Sequence, residues 1–138
     1  MALGGLIGIQ RERTGKPAGL RTHMLVCLGT AVFVVGCGAA GMTFDAQSRV
    51  IQGIVTGLGF IGAGSILKLS HEHQIKGLTT AAGVWMTAAI GVTAGLGAIG
   101  IAILATILTL IILAVATRLE SFVQTSAEKS PGSTGNGE

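Results

Sequence analysis

Charged side chains are scarce in this sequence: 9 Lys or Arg and 6 Asp or Glu make up 11% of its 138 residues. Soluble domains carry about 25% charged residues, so this shortfall excludes a protein whose whole surface faces water. Hydrophobic residues account for 49% of the chain, which indicates a membrane protein. The basic residues stand at the ends of apolar segments, a pattern that argues against nucleic acid as a partner.

Proline is also rare, with 2 residues, whereas glycine contributes 23. A glycine excess with neither a collagen period nor a proline partner argues against disorder and favours helices that pack closely. Cysteine occurs only at Cys27 and Cys37, within one apolar segment. Ten helical residues separate the two by roughly 15 Å, too far for a disulfide, so we expect two small buried side chains.

The uncharged runs are long enough to cross a membrane as helices. We predict an all-α membrane protein with four full transmembrane helices, the end of a preceding one, and glycine-rich packing. Residues 1–9 form the last two turns of the preceding helix, and the four spans lie at 22–41, 50–67, 78–94 and about 98–117. Residues 1–118 then form one transmembrane domain, and 119–138 form a disordered polar cytoplasmic tail.

In this predicted topology the basic residues concentrate on one side of the membrane. The other side has Arg49 alone, and the positive-inside rule therefore places the basic loops and the C-terminus in the cytoplasm. The basic side carries Arg11, Arg13, Lys16, Arg21, Lys68, Lys76, Arg118 and Lys129. Asp45 and Arg49 stand four residues apart, a spacing that predicts an ion pair at a helix start.

Glycines recur along the predicted span at 50–67. At 100° per residue Gly53, Gly57 and Gly64 share one helix face, and Gly59 and Gly62 flatten the other side. We predict that these five glycines pack against a neighbouring helix. Residues 57–62 also match G-x-G-x-x-G, but the run is apolar and no acidic residue follows at about 20 residues, so a nucleotide-binding enzyme is not favoured.

Groups that could bind a metal or perform catalysis are few. His71, Glu72 and His73 lack the H-E-x-x-H spacing, and we interpret them as part of a solvated loop at 68–76. No Asp or Glu lies within a predicted span, which argues against a self-sufficient path for Mg²⁺, an ion that prefers oxygen ligands. We predict no catalytic residue, no metal site and no cofactor.

Four segments, at 4–13, 16–23, 57–64 and 76–85, together resemble the MgtC/SapB family of bacterial inner-membrane proteins. The family's usual first span begins upstream and its longer members add a C-terminal soluble domain. The resemblance therefore implies a short SapB-type member that is truncated at its N-terminus. The family-like positions outside the glycine run are Arg11, Glu12, Arg13, Gly19, Arg21, Thr22, Gly77, Thr79, Thr80 and Trp85.

The charged members of this set, Glu12 among Arg11, Arg13 and Arg21, suggest an ion-pair cluster at the membrane edge. Ordinary positive-inside anchors would explain them equally well. The resemblance implies a non-enzymatic protein of the bacterial inner (plasma) membrane, linked to growth in low magnesium and, in pathogens, to virulence. Longer members are associated with restraint of the ATP synthase rather than with Mg²⁺ transport.

We therefore expect the chain to act within the lipid bilayer by binding another membrane protein, or a second copy of itself. The alternative is a small transporter, or a transporter subunit, for Mg²⁺ or another ion.

Overall fold

A computed structural model describes the backbone over residues 1–69 and 74–128, and the side chains over 1–66 and 76–118. These residues form five helices and one short hairpin. In order they are α1 (Ala2–Arg13), α2 (Leu20–Ala39), α3 (Phe44–Gly64), β1 (Leu67–Leu69), β2 (Gln74–Lys76), α4 (Leu78–Gly95) and α5 (Ile99–Glu128). The predicted helical architecture is confirmed. Three helical segments, Leu20–Ala39, Leu78–Gly95 and Ile99–Arg118, are long and apolar enough to cross a membrane.

Helix α3 departs from the predicted span at 50–67. It begins at Phe44, capped by Thr43, whose Oγ1 accepts a hydrogen bond from the Ala46 backbone N–H at 3.3 Å. The predicted loop at 42–49 is therefore largely helical. Because the first turns are polar, the apolar part of α3 covers about 15 residues, or roughly 22 Å, less than a hydrocarbon core of about 30 Å. The prediction of four full spans is not confirmed.

Two further segments differ from the expected loop and tail. In place of a loop, β1 pairs with β2 in an antiparallel hairpin that leads from α3 to α4. The segment His71 to His73 lies outside the described residues. Helix α5 continues to Glu128, ten residues into the predicted tail, and residues 129–138 also lie outside the described part.

Helices α2 and α4 lie side by side in the same direction and approach closely at two glycines of α4. A Cβ on Gly91 would collide with the Thr30 hydroxyl and the Cys27 carbonyl oxygen. A Cβ on Gly95 would lie 2.9 Å from the Ala31 carbonyl oxygen. Only glycine permits this approach, so the two residues set the distance between the helices.

Helix α1 packs against the first half of α2 in the opposite direction, again through glycines. A Cβ on Gly4 would lie 2.6 Å from Cys27 Cβ, and one on Gly8 would lie 2.6 Å from Leu20 Cα. The side chain of Ile7, which lies between Gly4 and Gly8 in α1, is fully buried. Helix α1 therefore completes a three-helix core with α2 and α4.

The outer helices cover this core differently. Helix α5 returns beside α4 after a turn at Gly97, whose φ of +82° is the left-handed conformation that glycine adopts readily. Ala102 and Leu113 of α5 join the buried cluster around Ile7, and most of its other large aliphatic side chains are exposed, as expected for a lipid-facing helix. Helix α3 contributes the buried side chain of Leu58, which packs with Val84 of α4.

The helix directions bring six basic residues to one end of the molecule. Helices α2 and α4 start there and α1 and α5 return to it, with α3 ending at the hairpin beside it. The basic residues at this end, which we call the basic end, are Arg11, Arg13, Lys16, Arg21, Lys76 and Arg118.

We expect Gly91→Ala to lower the free energy of unfolding by about 1–3 kcal/mol, because the added methyl overlaps the backbone of α2. Gly100→Ala is the matched control, since Gly100 is also helical and nothing described lies within 4 Å of its Cβ position. The measurement is denaturation of the purified protein in mixed micelles. Equal stability of the two variants would contradict the close approach of α2 and α4.

Candidate functional site

Arg11 is a buried charge at the basic end, with 2% of its surface exposed. Its Nη2 donates a hydrogen bond of 2.7 Å to Oγ1 of Thr80, which is also 2% exposed. A buried cation is costly unless hydrogen bonds compensate it, so this bond fixes the end of α1 to the first turn of α4. The structure thus joins two of the family-like positions that lie 69 residues apart.

His23 lies in the first turn of α2 and is completely buried. Its Nδ1 is 3.0 Å from the Gly19 carbonyl oxygen, which makes Nδ1 the donor and leaves Nε2 as an acceptor. Nε2 has no hydrogen-bond partner among the described residues. It faces Gly83 of α4, where a Cβ would lie 3.7 Å away, at ordinary van der Waals distance.

Glu12 stabilises the start of α2 rather than only balancing charge. The N-cap residue, Gly19, has no side chain, and the Leu20 backbone N–H donates instead to Glu12 Oε2 at 3.0 Å. A carboxylate at a helix N-terminus satisfies a free N–H and interacts favourably with the helix dipole. Glu12 and Gly19, both family-like positions, therefore form one capping unit.

The other family-like residues play separate parts. Gly77 precedes α4 with φ of +99°, and a Cβ there would collide with the Ser65 carbonyl oxygen, so two constraints select glycine. Thr22 is half-buried, and four of these residues remain exposed. These exposed residues are Arg13, Arg21, Thr79 and Trp85.

Asp45 and Arg49 lie at the opposite end of the molecule. Arg49 donates to the Asp45 carboxylate across one turn of α3, and the side chains of Arg49 and Asp45 are 71% and 75% exposed. Exposed pairs of this kind stabilise a helix by a few tenths of a kcal/mol, about 0.3–0.5. The pair supports the start of α3 and is distant from the buried Arg11.

The predicted packing surface of α3 is not used inside the chain. No described atom of another segment lies within 4 Å of a Cβ built on Gly53, Gly57, Gly59 or Gly64, and only Gly62 makes a contact, at 3.6 Å from Ala81 Cβ. Inside the chain α4 meets α3 through Leu58 instead. Their packing against a partner stays a prediction.

Two of these glycines line an open apolar groove between α2 and α3, which we call the α2–α3 groove. Its volume is about 580 Å³. Gly29 lies on its α2 wall, and Gly53 and Gly57 lie on its α3 wall. The remaining lining residues are Leu25, Val26, Thr30, Phe33, Val50, Ile54, Leu58 and Ile61.

A sequence signal for the glycines that pack internally was present. Gly4 and Gly8 form a helical Gly-x-x-x-Gly pair, and so do Gly91 and Gly95, the spacing that places two glycines on one helix face. Gly53 and Gly57 form a third such pair. The chain therefore uses the first two pairs for its own core and leaves the third exposed. His23, in contrast, had no sequence signal beyond its position at the entry of a span.

Potential metal ligands are dispersed in the structure. Over the described residues, no group of three or more His, Cys, Asp or Glu side chains lies close enough to hold a metal ion.

Comparison with known proteins agrees with this arrangement. A family model described as the MgtC family matches residues 1–122. The chain belongs to the MgtC family. The resemblance seen in the sequence is thereby confirmed, and the match includes the Arg11–Thr80 bond, the Glu12 cap and all three glycine pairs. No solved structure matches this MgtC-family chain.

Several relatives have similar levels of identity. Protein SrpB of Synechococcus elongatus is 42% identical over 131 residues, which cover 87% of this chain and 72% of SrpB. The putative magnesium transporter YhiD of Escherichia coli is 43% identical over 80% of this chain and 54% of YhiD. Protein MgtC of Salmonella typhimurium is 43% identical over 80% of this chain and 46% of MgtC. The matched region thus spans about half the length of YhiD and MgtC.

We expect Thr80→Val to cost about 1.5–3 kcal/mol of unfolding free energy, because it removes the acceptor of a buried charged donor. Combined with Arg11→Met, the loss should be clearly smaller than the sum of the two single losses. Thr87→Val is the control, since Thr87 is also buried in α4 but donates to the Gly83 carbonyl oxygen of its own helix. Additive effects of Arg11→Met and Thr80→Val would contradict the bond.

Proposed function

We propose that this MgtC-family membrane protein supports adaptation to low magnesium by binding a transmembrane helix of another membrane protein, and that it catalyses no reaction. The α2–α3 groove carries the proposal. Its α3 wall presents the Gly53–Gly57 pair, and nothing described lies within 4 Å of either Cβ position. Glycine pairs with this spacing allow a second helix backbone to approach closely in lipid.

The shape and polarity of the groove suit a helix. Its lining is almost entirely apolar, and its volume of about 580 Å³ extends over residues three to four apart on both walls. The two other Gly-x-x-x-Gly pairs of the chain already receive a helix, α2 in both cases. A partner helix in the α2–α3 groove would repeat that contact, and a second copy of the chain would be the alternative occupant.

A cytoplasmic basic end is part of the same proposal. Since α2 and α4 start at the basic end, α3 must return to it between them, and this favours a chain whose helices α2, α3, α4 and α5 all cross the bilayer. The capped polar start of α3, with Asp45 and Arg49, would then lie in the headgroup region opposite the cytoplasm. The positive-inside rule favours this orientation.

Transport of magnesium is the second candidate, and the name of the relative YhiD, a putative magnesium transporter, favours it. Conduction of Mg²⁺ requires oxygen ligands that replace part of its hydration shell. The buried polar groups described inside the helices are threonine hydroxyls, Arg11 and His23. The hydroxyls of Thr87 and Thr106 donate to their own helix, and that of Thr80 accepts from Arg11. A buried cation such as Arg11 disfavours the entry of a second cation.

We expect Gly57→Leu to fill the α2–α3 groove and to abolish crosslinking to the partner in native membranes, together with growth in limiting magnesium. Gly100→Leu is the matched control, because Gly100 is equally open but lies on α5, outside the groove. Stability in mixed micelles should be unchanged by both substitutions. Unaltered crosslinking of the Gly57→Leu protein would contradict the proposal.

A flux measurement separates the two candidates. Proteoliposomes containing only the purified chain should take up no Mg²⁺ above protein-free vesicles if the protein acts by binding a partner. Uptake that depends on the protein would favour the transporter and overturn the first candidate.

A further inference from the structure

The side of α3 that faces away from the other helices is polar or small. Leu58 packs against α4, and the residues that lie about 80–180° round α3 from Leu58 are all exposed. These residues, which we call the outer face of α3, are Asp45, Ser48, Arg49, Gln52, Thr56, Gly59 and Ala63. Val55 and Phe60 lie at its edges, and no large aliphatic residue lies within it.

Part of this outer face lies at membrane depth. Ile51 of α3 and Val92 of α4 line one groove between the two helices, which run in opposite directions. Gln52 therefore lies about one turn inside the end of α4, and Thr56 lies about one turn deeper.

The hydrocarbon of the bilayer provides no hydrogen-bond partner for such a face. The large exposed side chains of α5, such as Ile107 and Ile111, are aliphatic, as expected for contact with lipid. Polar side chains in transmembrane helices face protein or water instead, and Gln forms hydrogen bonds between helices. The outer face of α3 therefore requires a cover other than lipid, and the described part of the chain leaves it exposed.

We propose that the outer face of α3 binds the same face of a second copy, in a dimer whose two-fold axis is perpendicular to the membrane. Two copies inserted in the same direction bring identical residues to the same depth, so the contact must be self-complementary. Gln52 meets this requirement, because its amide both donates and accepts and can hydrogen-bond to an identical amide. Gly59 and Ala63 add no bulk that would separate the two helices.

The charges of the outer face are self-complementary as well. Asp45 and Arg49 form an exposed ion pair across one turn of α3. Two outer faces together hold two carboxylates and two guanidinium groups, so the interface carries no net charge. An unrelated membrane protein would have to supply matching charges and a matching amide, whereas a second copy supplies both by symmetry.

The dimer contact is separate from the α2–α3 groove. Gly53 and Gly57 lie about 100–140° round α3 from Leu58 in the opposite sense, so a helix in the groove leaves the outer face open. The dimer rests on the proposed crossing of the bilayer by α3 and not on the occupant of the groove.

Disulfide crosslinking of the full chain in native membranes tests the dimer. We expect oxidation to link two copies of the Gln52→Cys variant, and likewise two copies of the Gly59→Cys variant. Ile107→Cys, at an exposed position on α5, is the matched control and should give no dimer, as should the unsubstituted chain, whose two cysteines are buried. Monomer alone from both outer-face variants, or an equal dimer yield from Ile107→Cys, would overturn the proposal.

The amide of Gln52 provides a second test, by energy transfer between labelled copies in lipid bilayers. Gln52→Leu should raise the dissociation constant of the dimer by about tenfold, because interhelical hydrogen bonds are lost. Gln47→Leu makes the same change on the inner side of α3, where Gln47 donates to the Val34 carbonyl oxygen at 3.5 Å, and should leave the constant unchanged. Gly57→Leu should also leave it unchanged, which distinguishes loss of a groove partner from loss of the dimer. An unchanged constant for Gln52→Leu would overturn the proposal.

Water is the alternative cover for the outer face. A membrane-impermeant maleimide should label the Thr56→Cys variant as slowly as the Ile107→Cys variant. Much faster labelling of Thr56→Cys would overturn the proposal, because it would indicate a water-filled path along α3.

Discussion

The close contact of α2 with α4 determines where every other element lies. Lipid supplies no hydrophobic force that drives helices together, so their association depends on close packing and on a few polar bonds. Gly91 and Gly95 permit that packing by letting the backbone of α2 touch α4. Because the two helices run in the same direction, α1, α5 and the hairpin meet at the basic end, where the Arg11–Thr80 bond joins α1 to α4.

This contact also explains which surfaces stay open. Helices α1 and α4 occupy much of the surface of α2, and α3 adds Leu58 as its main buried side chain, so the Gly53–Gly57 pair faces a groove.

Much of the fold could be predicted from composition and run length, because membrane helices must satisfy their own backbone groups. Helices α2 and α4 match their predicted spans within about two residues at each end, and α5 starts where predicted but continues to Glu128. Helix α3 begins at Phe44 and not at residue 50, where the predicted span starts. The prediction missed this start because several residues between the two positions are polar, although Thr43 caps a helix there. The sequence does not predict that Gly91 packs in the core and Gly57 does not, because each belongs to a Gly-x-x-x-Gly pair. Only the tertiary packing distinguishes the two. The burial of Arg11 against Thr80 could not be predicted either, because the charge pattern indicates only that Arg11 lies at the membrane edge.

Site-specific photocrosslinking in native membranes tests most directly whether a protein fills the α2–α3 groove. A photoreactive side chain would replace Ile61, which lines the groove and is 48% exposed, or Ile107, which is 49% exposed on the lipid-facing side of α5. We expect a protein adduct of defined mass from position 61, lost in a Gly57→Leu background, and only lipid adducts from position 107. Lipid adducts alone from both positions would contradict it.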